Sequence, residues 1–136
     1  MTPAIAASFA AAGEAAKDAR GPSDLVLSPS FRSNQQALTY LYERISQFNQ
    51  PTESVLAQLA QPTNGVDLAD LEGLDIPILF LSGTKDPIFP TSALSDLADR
   101  IPNASLESLE SGHSPFYERP DEFNALVTRF LDQTGN

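Results

Sequence analysis

The run Ile76-Pro77-Ile78-Leu79-Phe80-Leu81-Ser82 constrains this chain more than any other stretch. Near-continuous apolar character over so few residues, with no alternation, is the pattern of a strand buried on both faces in a parallel sheet. Downstream, Leu94, Leu97, Ala98 and Ile101 share one face of a helix expected over 91–101. Pro102-Asn103 then turns the chain into a weaker strand over 104–110, whose Glu107 and Glu110 suit a sheet edge. Pro120 suits a first helical turn, Asp121 and Glu122 suit the positive end of the helix dipole, and Phe123, Leu126, Val127, Phe130 and Leu131 form the last apolar face. Strand–helix–strand–helix predicts a right-handed parallel crossover. Two strands do not make a stable parallel sheet, so the 76–82 strand expects a neighbour from outside these 136 residues.

The first half reads differently. Ile5, Phe9, Ala12 and Ala16 recur at helical spacing until Gly21-Pro22 breaks the pattern. Ser33 or Asn34 is placed to cap a second helix, with Leu38, Leu41, Tyr42, Ile45 and Phe48 as its apolar stripe. Pro51 and Thr52 open a short third helix carrying Val55, Leu56 and Leu59. The expected organisation is a helical region over 1–65 followed by an α/β segment over 66–136, without internal repeats.

Charge narrows the partners. Eighteen acidic against 8 basic residues give a net charge of −10, which repels phosphate backbones and anionic lipid, so neither nucleic acid nor membrane is an expected partner. The chain has no cysteine and a single histidine, which removes disulfides and makes a zinc site improbable. The strongest apolar run is about a third of a bilayer span, and no basic residue precedes Lys17, so a secretory leader is not expected. A soluble, cytoplasmic protein is the resulting expectation.

Chemistry concentrates in two loops. Gly83-Thr84-Lys85-Asp86-Pro87 follows the apolar strand, and His113 lies in Ser111-Gly112-His113-Ser114-Pro115 before the final helix. An acid after a buried strand and a histidine on the next strand's loop are two thirds of a catalytic triad. Read alone, Asp86 equally suits an Asp-Pro turn, and His113 an exposed loop or helix cap.

The run from Asp75 to Pro90, the Ile101-Pro102-Asn103-Ala104 turn, and Gly112-His113 followed by Glu118-Arg119-Pro120-Asp121-Glu122-Phe123 together resemble the C-terminal end of the α/β-hydrolase fold, over roughly 66–134. The resemblance implies the terminal part of that fold, a helical cap followed by two βα units of a parallel sheet. It also implies Asp86 as triad acid and His113 as general base, acting on a small ester or related carbonyl compound with no cofactor or metal. Glu118 and Arg119 read as structural, tying the His113 loop to the last helix. The family's nucleophile sits on a G-x-S-x-G turn. Here Ser23 follows Gly21 and Ser114 follows Gly112, but Leu25 and Phe116 occupy the place of the second glycine. The chain alone is therefore expected to be inactive. Its alternatives are a non-catalytic module pairing through the bare side of the 76–82 strand, with an N-terminal half or a second copy, or a piece without a separate role.

Overall fold

The computed structural model describes residues 21–48 and 68–135, with Ala7, Ala10, Ala11 and Glu14 besides, these four being helical. The apolar positions expected on the first helix, Ile5, Phe9, Ala12 and Ala16, lie outside the described residues, as does the third expected helix.

Prolines decide where the helices start. A residue before proline is pushed out of the helical region, while the proline itself is pre-set for a first turn. Helix α1 (Pro22–Val26) begins after extended Gly21, and α2 (Pro29–Asn34) after extended Ser28, whose Oγ accepts the Phe31 amide at 3.2 Å. That upstream cap corrects the expectation for Ser33 and Asn34: both close α2 instead of opening the next helix, and α3 (Gln36–Phe48) starts after a kink at Gln35. On α3, Leu38, Leu41, Ile45 and Phe48 are exposed, whereas Thr39, Tyr42, Glu43 and Ser46 are half-buried. The inward face is thus set by polar partners: Glu43 takes a 2.5 Å hydrogen bond from Ser23, and Tyr42 stacks edge-on against Tyr117 at 5.1 Å.

After α4 (Leu68–Glu72), β1 (Ile78–Gly83) and β2 (Ala104–Leu109) pair in parallel, Ile78 opposite Ala104 and Gly83 opposite Leu109. The crossover helix α5 (Thr91–Ala98) is shorter than expected: Asp99 and Arg100 turn, so that Ile101 enters the core with Leu27, Ala93 and Leu109. Ser82 and Thr91 hydroxyls meet at 2.7 Å and anchor the start of α5 to β1. Asn103, at φ 59°, makes the tight turn into β2. Among the described residues the sheet has these two strands, leaving one edge of β1 unpaired. Pro115 and Pro120 separate α6 (Pro115–Glu118) from α7 (Pro120–Thr134), with Arg119 outside helical geometry between them. Leu131, expected on the buried face of α7, is exposed, while Phe123, Leu126, Val127 and Phe130 are half-buried. No described helix is long and apolar enough to cross a membrane.

Candidate active site

Asp86 and His113 meet where the two strands end. Parallel pairing puts the carboxyl ends of β1 and β2 side by side, and the loops that follow are laced together. The Thr84 amide donates to the Leu109 carbonyl at 2.8 Å, and the Lys85 amide to that of Ser111 at 2.9 Å. Such close approach requires glycine at position 83: a Cβ there would lie 1.9 Å from the Gly112 carbonyl oxygen.

His113 Nδ1 lies 2.9 Å from Asp86 Oδ2. The other carboxylate oxygen accepts the amides of Ile88 and Phe89, at 2.8 and 3.1 Å, a local turn motif that aims the side chain. The Asp86 side chain is only 5% exposed and the imidazole 37% exposed, so the acid is sheltered and the base reachable. Phe89 stacks on the imidazole with ring centroids 5.7 Å apart and planes 23° apart. The hydrogen bond that Nδ1–H donates to Asp86 raises the His113 pKa above its ordinary 6.5; burial opposes this, and the Asp86 charge adds to it. With Nδ1 committed to a carboxylate, Nε2 is the nitrogen able to accept a proton from a hydroxyl and return it.

The other sequence candidates are elsewhere. Ser23 is buried at the start of α1, donating to Glu43. Ser114 is buried beside His113, but its hydroxyl faces Tyr42 at 3.4 Å. A polar cavity of about 240 Å³ opens beside Ser28, Glu118 and Arg119 and does not include Asp86 or His113. Among the described residues no group of three or more His, Cys, Asp or Glu side chains could hold a metal ion.

Phe89 and Ser28 were not singled out by sequence reasoning. Phe89 sits three residues after Asp86, close enough to have been suspected. Ser28 contacts Glu118 across ninety residues, for which no local signal exists. Glu118 therefore does tie down the His113 loop, to Ser28, while Arg119 donates to the Glu110 carbonyl before that loop and lies 3.7 Å from Glu122 on α7.

A family model described as alpha/beta hydrolase fold matches residues 3–120. The chain belongs to that family. It is 38% identical over 63 residues to a putative carbamate hydrolase, RutD, of Caulobacter sp. (strain K31), a match covering 46% of this chain and 24% of that protein. It is 33% identical over 57 residues to 3-oxoadipate enol-lactonase 2 of Acinetobacter baylyi, covering 42% and 21%. A thermophilic esterase from Thermogutta terrifontis superposes on the whole chain with a TM-score of 0.71 at 20% identity, and 53% of the esterase is covered. The chain thus spans about half of that alpha/beta hydrolase, and its matches span about a quarter or less of the curated relatives. One of these curated relatives is thus named as a lactonase, and the esterase shares the fold.

Proposed function

We propose that Asp86 and His113 are the acid and general base of a Ser-His-Asp hydrolase acting on an ester, lactone or related carbonyl compound. The observation that carries this is the 2.9 Å contact between His113 Nδ1 and an Asp86 carboxylate that two backbone amides already orient. A carboxylate so placed holds the imidazole in one tautomer and stabilises the imidazolium formed when Nε2 takes a serine proton. The serine then attacks the carbonyl, and His113 returns the proton to the leaving group before water releases the acyl-enzyme.

The 136 residues contain no G-x-S-x-G sequence, so the nucleophile and the oxyanion donors come from outside them. The same part of the fold supplies the strand that covers the unpaired edge of β1, and helices α1 to α3 serve as its cap. The test is to express the chain within its uninterrupted reading frame and assay p-nitrophenyl ester hydrolysis. His113→Ala and Asp86→Asn are each expected to lower kcat by about 10³-fold or more. Undiminished turnover by His113→Ala would sink the proposal, and a burst of nitrophenol from the 136-residue chain alone would refute the external nucleophile.

A further inference from the structure

Among the described residues Glu118 is the one acidic or basic residue that is buried as a whole, 7% exposed, and no arginine or lysine pairs with it. Its partners are three donors. Oε1 accepts the Gly112 amide at 2.8 Å and the Ser28 amide at 2.9 Å, and Oε2 accepts the Ser28 hydroxyl at 2.5 Å. An ionised carboxylate is an acceptor only, and three donors are what it takes to make burying one tolerable. These partners join distant places: Gly112 immediately precedes His113, whereas Ser28 links α1 to α2.

His113 is held on its other side as well. The Ser114 amide donates to the Val26 carbonyl at 3.1 Å. Both backbone neighbours of the histidine are therefore bonded, directly or through Glu118, to the segment 26–28. The approach is close, since a Cβ on Gly112 would lie 2.7 Å from the Ser28 nitrogen and 2.8 Å from the Val26 oxygen. Asp86 is oriented separately, by the amides of its own loop. The Nδ1–Oδ2 contact is thus where a frame built on β1 meets one built on Glu118, the two loops being joined besides by the Lys85–Ser111 hydrogen bond.

We propose that Glu118 is a positioning residue: through Gly112 it holds His113 against Asp86, and through Ser28 it makes that hold depend on docking of the α1–α2 linker. The inference rests on the reading of Asp86 and His113 as a working pair. A carboxylate can do this where a shorter or apolar side chain cannot. Truncation leaves two buried N–H groups without acceptors, and they regain partners only if the linker and the histidine loop separate enough to admit water.

In the protein expressed from its uninterrupted reading frame, the His113 titration can be followed by nitrogen-15 NMR, its imidazole resonances assigned by their loss in His113→Ala. In Glu118→Gln the amide oxygen keeps both backbone donors, and the amide nitrogen can donate to Ser28 Oγ, whose own proton turns to Ser30 Oγ 3.2 Å away. The Gln variant is therefore expected to titrate like the native chain. Glu118→Ala is expected to move the His113 titration downward, in the direction of Asp86→Asn. A native titration in Glu118→Ala overturns the inference. So does an equal fall in both Glu118 variants, which would make the residue a remote charge and not a brace. Should Glu118→Ala not fold, Ser28→Ala removes the hydroxyl donor to Glu118 together with the cap on the Phe31 amide and keeps the Ser28 backbone donor; it should speed hydrogen exchange at the Gly112 amide and shift His113 the same way, and no change in either overturns the inference. A His113 titration indifferent to Asp86→Asn would instead remove the underlying pair.

Discussion

Substituting Gly83 by alanine probes whether the β1 and β2 loops are as tightly joined as the geometry requires. The added Cβ would stand 1.9 Å from the Gly112 carbonyl oxygen, 2.6 Å from that of Ser111 and 2.8 Å from the Gly112 carbonyl carbon. All three are backbone atoms, so no side chain can swing aside. Against 3.4 Å for ordinary contact, the histidine loop must retreat by about 1.5 Å. A retreat of that size breaks the Lys85–Ser111 hydrogen bond and stretches the Thr84–Leu109 bond beside it. Forced overpacking costs about 1–3 kcal/mol and each backbone bond about 1 kcal/mol, so Gly83→Ala should lose about 3–5 kcal/mol. Urea denaturation of the purified chain reads this directly as a fall in midpoint at constant slope. Gly73→Ala is the control. Its Cβ would meet nothing nearer than 3.7 Å and its φ is not positive, so it should change stability by less than about 1 kcal/mol. A Gly83→Ala midpoint no lower than that of Gly73→Ala would refute the packing argument.

The pH dependence of stability follows from the raised His113 pKa. A protonated form favoured in the folded state stabilises fully below the unfolded value of 6.5, and the contribution disappears as pH rises through the higher folded value. The stability gap between the native chain and Asp86→Asn should therefore narrow as pH rises above 6.5, checked by urea midpoints at a series of pH values; a gap widening with pH would contradict the assigned sign. Asn103, in the left-handed region at φ 59°, is expected to tolerate glycine but to lose about 1–2 kcal/mol on replacement by valine, measured the same way.

Much of the second half could be read locally. β1 was legible because Ile78 to Leu81 are apolar without alternation, and the start of α7 because Pro120, Asp121 and Glu122 are first-turn residues. Asp86 and His113 could be nominated because each lies on a loop beside a strand or helix whose own pattern is strong, and parallel pairing then brings the two loops together. The helical half was read less well. Of the expected Leu38–Leu41–Tyr42–Ile45–Phe48 stripe only Tyr42 faces inward, and the described residues pack against it and Glu43 while the other four are exposed. Periodicity reports that a helix has an apolar side, not which partner meets it.

By itself the sequence determined the local elements and the types of residue at the site, since proline geometry, glycine turns and hydrophobic period act over a few residues. Only the tertiary structure decided what holds the histidine. Phe89 reaches the imidazole across 24 residues, Asp86 across 27, and Ser28 reaches Glu118 across 90. A hydrogen bond to a buried carboxylate depends on which distant donor is delivered to it and on the exclusion of water there. Both are properties of the packed chain, and no short window of residues carries them.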